Sequence, residues 1–309
     1  VTNFRITPFT ISDEVVDALS QGRGVVALET TIVVHGLPSP TNLEVAAECE
    51  AAVRASGSVP ATIGVLDGRI VVGLSAEQLS DLAEPERHAA KLSARDIGPS
   101  LARHTDGATT VAGTITIASR VGIDVMATGG LGGVHRDVRE SFDESADLTA
   151  LSRNQILVVA SGVKSILDVG ATLERLDTLG VPVVGYQSDH FPGFYQSDSG
   201  FSLDWSLDDE AQIAEAFLAH RELSTTGFFV ANPVDHDKEL PGEVHDRALT
   251  SALQRARDLG VSGKEVTPVL LAEFARYTAG ESVAVNRHLV VANAALAGRI
   301  AQAVADRRP

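Results

Sequence analysis

Residues 156–187 read ILVVASGVKSILDVGATLERLDTLGVPVVGYQ, and this stretch decides the fold class. Ile156 to Ala160 is a short apolar run of the kind a buried strand needs. Ser161-Gly162-Val163 breaks it and Lys164 follows. Ile166, Leu167, Val169, Leu173, Leu176 and Leu179 then recur at helical spacing until Gly180 supplies a stop. Val181 to Val184 begins a second apolar run. The unit is strand–helix–strand, and a right-handed crossover predicts that its two strands are parallel neighbours. In such sheets ligands gather beyond the carboxyl ends of the strands. Lys164 falls on the loop at that end. A lysine flanked there by apolar residues can be desolvated enough to lower its pKa and attack a carbonyl; a solvated loop lysine is the plainer reading.

Working outward, Gly24 to Leu28 enters another strand, and Glu29 sits directly inside its apolar run, followed by Thr30 to Val34. A carboxylate at this place either faces a cavity at a strand end or is paired inside the core. Desolvation would raise its pKa and suit it to donate a proton. His35 to Pro40 reads as a loop, and Asn42 to Ala55 as a helix with Leu43, Ala46, Ala47 and Val53 on one face. Ala61–Leu66 and Ile70–Gly73 flank Asp67-Gly68, the signature of a hairpin, so the sheet is mixed. Ser75 and Gln78 predict a capping box. Lys91 stands among Arg87, His88 and Arg95, a local basic cluster that could receive an anion or form a solvated helix face.

Thr109 to Arg120 predicts a buried helix. Ile123 to Thr128 is a strand leading into Gly129-Gly130-Leu131-Gly132-Gly133, where glycines allow the backbone to approach a ligand closely. The spacing matches neither the Walker loop nor the dinucleotide fingerprint. Ser141 to Leu148 packs Asp143, Glu144 and Asp147 beside Ser145, a set that suits a hard divalent cation or, alternatively, an acidic helix start. Phe191 to Leu207 reads as loop, Asp208 as the cap of a helix to about Glu222, and Gly227–Pro233 as one more strand and exit. From Glu243 the chain is helical, with breaks near Gly260-Val261-Ser262-Gly263 and Gly280.

The composition is that of a globular protein: 44% hydrophobic, 21% charged, with a formal net charge of −16 that argues against a nucleic-acid surface. Cys49 is the only cysteine, so no internal disulfide is possible and a reducing, cytoplasmic setting is expected. No signal peptide is evident in the first residues, and no stretch is expected to cross a membrane; the most apolar helix candidate, His288 to Ala305, is interrupted by Asn293, Arg299 and Gln302. No repeat or linker is visible, which predicts one domain over residues 1–309.

Taken together these motifs resemble the pseudouridine-5′-phosphate glycosidases. The resemblance rests on Ala27-Leu28-Glu29-Thr30-Thr31-Ile32 with His35-Gly36 and Asn42-Leu43-Glu44, on Lys91 to Asp96, and on Thr109 to Ala112. It continues with Thr128 to Arg136, Phe142 to Leu148, Lys164 to Asp168, Gly263 to Pro268, and Asn286. It implies an α/β/α layered fold around a mixed, mostly parallel sheet with C-terminal helices, a homotrimer, and one Mn2+ per subunit. The implied activity is reversible cleavage of the C–C glycosidic bond of pseudouridine 5′-phosphate to uracil and ribose 5-phosphate. Carried over by position, Lys164 is the nucleophile, Glu29 the proton donor and Asp143 the metal ligand. Lys91, Val111, Ser145, Ala146, Asp147, Thr128, His135 and Asn286 fall on substrate-binding positions. Thr30 stands where the family often has Ser. Three other readings stay open: a related enzyme of indigoidine synthesis, a class I aldolase using Lys164 on a sugar phosphate, and a ligand-binding domain without catalysis. The aldolase reading lacks a recognisable eightfold barrel repeat.

Overall fold

The computed structural model describes residues 8–261 and 266–308. Ser262, Gly263, Lys264 and Glu265, which carry part of one expected helix break and of one family motif, lie outside the described residues, as does the extreme N-terminus.

Eleven strands form one sheet. Its centre runs Val59–Leu66, Val25–Leu28, Val125–Ala127, Leu157–Ala160, Phe228–Ala231, Val183–Tyr186 and Ser206–Leu207, every neighbouring pair parallel. The antiparallel part is at one side: Arg69–Val72 folds back on Val59–Leu66 with Leu66 opposite Arg69, and Gly107–Thr109 pairs with the other edge of the same long strand. Asp67 and Gly68, both at positive φ, make the tight turn expected between the hairpin strands. Four of these, Val25–Leu28, Val125–Ala127, Leu157–Ala160 and Phe228–Ala231, are buried along their whole length, which is why they read as unbroken apolar runs and not as alternation.

The opening unit needs one correction. Leu157–Ala160 and Val183–Tyr186 are parallel but are not neighbours; Phe228–Ala231 lies between them, pairing Phe228 with Leu157 and Phe229 with Val183. This later strand is buried along its whole length, and the central slot gives both of its faces cover. The helix of the unit is shorter than its periodicity, Val169–Thr178, capped by Asp168 on the Ala171 amide and ended by Gly180 at φ +67°. Ile166 and Leu167 belong to the loop and to a two-residue strand, Leu167–Asp168, that pairs with Val134–His135.

The helices Thr41–Ala55, Glu281–Ala305 and Glu210–Leu223 line up on one face, with the middle one laid across the Val25, Val125 and Leu157 strands. The helix Val111–Arg120 covers the Val25 and Val59 strands from the other side, with Ala94–Ala102 and Ala146–Leu151 beside it. The buried side of Thr41–Ala55 is Asn42, Val45, Cys49 and Val53, one step round from the expected face, and Ala47 is exposed. Leu43 and Ala46 instead touch a satellite apolar cluster around Val33 and Leu82. The run after Glu29 does not continue as strand: residues 32–36 wind into one π-helical turn. Asp209, not Asp208, caps the helix that follows, through the Gln212 amide.

The C-terminal helix has the length and apolarity to span a bilayer, contrary to the expectation that no stretch does. Here it is the core helix of the domain: Ser282, Asn286 and Asn293 are buried on it among Leu289, Leu296 and Ile300.

Candidate active site

Three neighbouring strands end side by side and hand the chain to the site. Val25–Leu28 delivers Glu29, Val125–Ala127 delivers Thr128 and the glycine run, and Leu157–Ala160 delivers the loop that carries Lys164. Beyond them opens a cavity of about 320 Å³. All eleven residues singled out from the sequence line it: Glu29, Lys91, Val111, Thr128, His135, Asp143, Ser145, Ala146, Asp147, Lys164 and Asn286.

Glu29 is buried, 9% exposed. The Thr128 hydroxyl donates to its Oε1 at 2.5 Å. Burial pushes its carboxyl above the usual carboxylate range, opposed by the Lys164 ammonium, the Thr128 bond and Lys91, and reinforced by the charge of Asp147. A strand-end carboxyl in this state holds its proton at higher pH than a solvated one and can deliver it to a substrate atom. Of the two readings open for Glu29, the strand end facing a cavity is the one realised.

The glycine run works through closeness. Phe194 packs on Gly130, where a Cβ would stand 2.6 Å from its ring, and a Cβ on Gly132 would stand 2.3 Å from the Ser145 hydroxyl. The Gly132 amide donates to Asp147 Oδ2 and the Ala112 amide to Asp147 Oδ1, both at 2.9 Å. Asp147 therefore ties the glycine run to the first turn of the Val111–Arg120 helix, where a carboxylate is favoured by the helix dipole.

The acidic segment does not act as one cluster. All three border the cavity but have different partners: Asp147 turns to those amides, Glu144 pairs with Arg175 at 2.8 Å, and Asp143 stands beside His135, its Oδ2 3.8 Å from His135 Nε2. No group of three or more His, Cys, Asp or Glu gathers among the described residues. Of the two readings open for this segment, the acidic helix start is present, with Ser145 capping the helix Ala146–Leu151 and Asp147 in its first turn, and the three carboxylates do not converge on one point. Asp143 with His135 beside it is a donor set that fits a hard cation keeping most of its water, not an all-protein cage.

The basic cluster divides as well. Lys91 and Arg95 line the cavity, while Arg87 is drawn away to Asp81 and Asp106. Residues not singled out as site residues join the lining, among them His35, Ser93 and Phe194. Among the described residues, three buried side-chain atoms without a hydrogen-bond partner belong to lining residues: His35 Nε2, Ser93 Oγ and Asn286 Oδ1. Buried polar atoms are normally paired, so these are places for a ligand to bond. Burial and the charge of Lys91 hold the His35 imidazole below its usual range, against a bond to the Ala89 backbone. His35-Gly36 was legible as a motif; Phe194 carried no signal beyond an aromatic residue in a polar loop.

The cavity has relatives. The sequence profile of the family described as indigoidine synthase A like protein matches residues 14–303. A protein of Salinispora tropica named pseudouridine-5′-phosphate glycosidase is 56% identical over 297 residues, covering 96% of this chain and 91% of the relative. One of the same name from Streptomyces griseus subsp. griseus is 52% identical, covering 96% and 93%. Among solved structures, the prealnumycin C-glycosynthase AlnA in complex with ribulose 5-phosphate superposes with a TM-score of 0.89 at 37% identity, covering 96% of this chain and 97% of the other. An indigoidine synthase A-like protein of Thermotoga maritima superposes with a TM-score of 0.87 at 36% identity, covering 96% of each chain. With its profile match spanning nearly the whole chain and its fold shared end to end, this chain belongs to the indigoidine synthase A-like family.

Proposed function

We propose that the protein cleaves, reversibly, the C–C glycosidic bond of pseudouridine 5′-phosphate, giving uracil and ribose 5-phosphate. The observation that carries this reading is the meeting of a buried carboxyl, Glu29, and an amine-bearing side chain, Lys164, beyond neighbouring strand ends at one cavity, in a chain whose relatives bear the glycosidase name. The C-glycosynthase relative bound to a five-carbon sugar phosphate supports the same bond type and substrate class.

A bond from sugar carbon to ring carbon has no basic leaving atom, so protonating the leaving group's heteroatom cannot break it. In the proposed course Glu29 gives its proton to the ribose ring oxygen as the C1′–O bond opens. The Lys164 amine adds to C1′. The ring carbon of uracil takes a proton, and the C–C bond breaks with its electron pair staying on uracil while the nitrogen lone pair forms C=N on the sugar. Water then releases ribose 5-phosphate and restores the amine. Covalent catalysis divides one hard step into easier ones. Lys91 and Arg95 suit the phosphate by charge. Mn2+ would be held by Asp143, with His135 beside it and water completing the shell; it would supply positive charge for orienting the substrate. A homotrimer and a cytoplasmic location complete the reading on family resemblance.

The test is turnover of pseudouridine 5′-phosphate, with fructose 1,6-bisphosphate as the aldolase comparison. Ribose 5-phosphate with borohydride should leave a reduced sugar adduct on the Lys164 peptide by mass spectrometry. Chelation should abolish activity, Mn2+ should restore it, and Asp143→Ala should lose that response. No turnover with Mn2+ supplied, or an adduct on Lys91, overturns the assignment.

A further inference from the structure

The expected interruption of the C-terminal helix, Asn293, is fully buried. Its amide reaches the carboxyl ends of three parallel strands at once. Nδ2 donates to the Thr128 carbonyl at 2.8 Å, the Gly129 carbonyl at 3.3 Å and the Ser161 hydroxyl at 3.1 Å. Oδ1 accepts from Asn232 Nδ2 at 2.9 Å. Thr128 follows the Val125 strand, Ser161 the Leu157 strand and Asn232 the Phe228 strand.

Two of these contacts lead straight to the proposed reacting groups. The Thr128 peptide is held at its amide by the Val159 carbonyl and at its carbonyl by Asn293, while its hydroxyl holds Glu29. Ser161 opens the loop to Lys164, and that loop is laced to the glycine run: Ser161 N to Gly129 O at 2.9 Å, Leu131 N to Gly162 O at 3.0 Å, Lys164 N to Leu131 O at 3.1 Å. A buried amide in the middle of an apolar helix is costly unless every atom is bonded, and here both its atoms are.

We propose that Asn293 is a positioning residue, whose amide locks the Thr128 and Ser161 strand ends together and so fixes where Glu29 stands relative to Lys164. The proposal rests on the reading of Glu29 and Lys164 given above. It touches no substrate. Its effect is on alignment, where a displacement of about 1 Å can cost about 10²-fold in rate.

The experiment compares Asn293→Leu, which keeps size and removes all polar bonds, with Asn293→Asp, which keeps an acceptor and removes the donors. In folded protein, judged by thermal melting and circular dichroism, kcat should fall about 10- to 100-fold with KM within about threefold. Ser161→Ala, which removes the hydroxyl through which Asn293 holds that strand end, should lower kcat about threefold to tenfold. The crystal structure of a folded Asn293 variant should have the Thr128 hydroxyl beyond hydrogen-bond reach of Glu29. If neither Asn293 variant folds, Asn232→Ala decides, since it frees the amide to turn and should lower kcat about threefold to tenfold. Wild-type kcat in a folded Asn293 variant or in Asn232→Ala, a loss confined to KM, or an unmoved Thr128–Glu29 bond overturns the proposal. A wild-type protein that does not turn over pseudouridine 5′-phosphate rejects the reading of the activity, while the variant crystal structure still decides the positioning role.

Discussion

The same strands end in two different chemistries. At their amino ends, charged and polar side chains pair with one another: Asp124 with Arg221 at 2.9 Å and also with Arg308, while Gln155 donates to the Arg221 and Ser224 carbonyls. At their carboxyl ends, Glu29 and Lys164 border a cavity to which Asn286, Ser93 and His35 bring unpartnered buried atoms. One end is organised for stability. The other leaves bonding capacity for a ligand, which costs folding energy and is the mark of a functional site. Substitutions should therefore separate cleanly into loss of rate at one end and loss of stability at the other.

The largest effect is expected at Lys164. Lys164→Arg keeps the charge and loses the attacking amine, since a guanidinium is never deprotonated in a protein, so turnover should fall at least about 10³-fold with the fold intact. A cycling arginine variant would break the comparison at its centre. Glu29→Gln should follow, lowering kcat by about 10²-fold while substrate still binds. Because burial raises the Glu29 pKa, the wild-type rate should fall as pH rises through its folded value, and the amide variant should lose that limb. Wild-type stability follows pH in the same sense, but the amide substitution affects it with the opposite sign. The folded state binds this proton more tightly than the unfolded chain, so ionising Glu29 costs stability as pH rises above the free glutamate range. Glu29→Gln should be level with wild type below about pH 4 and more stable than it at higher pH, measured by denaturant titration.

At the closed end the expectation reverses. Asp124→Ala leaves Arg221 and Arg308 without their carboxylate and should cost about 1–3 kcal/mol of stability, with kcat unchanged. A fall in kcat there would mean that the two ends are coupled. Glu14→Ala, which removes an exposed ion pair to Arg54, should be smallest, below about 1 kcal/mol and without effect on rate.

Much of this arrangement was legible along the chain. The apolar runs at Val25, Val125 and Leu157, the Asp67-Gly68 turn, the Ser75–Gln78 box and the residues closing each run are local signals, and they survive intact. So is the placement of Lys164 on the loop after a buried strand, whereas Glu29 reads as lying inside an apolar run, and only the π-helical turn at residues 32–36 shows that its strand has already stopped at Leu28. The divergence of Asp143, Glu144 and Asp147 was not legible: their closeness in sequence says nothing of Arg175, His135 or the Ala112 amide, which come from other elements.

What the sequence determined alone was the alphabet of elements and the chemistry at their ends, since backbone periodicity, turn residues and charge act over a few residues. What only the tertiary structure decided was adjacency. Phe228–Ala231 enters the sheet between two strands joined by their own crossover, and Asn293 reaches across three strand ends from a helix more than a hundred residues away in sequence from Thr128 and Ser161. Such pairings are set by which buried surfaces and which unmet hydrogen bonds the whole chain can satisfy together, and no local pattern encodes that choice.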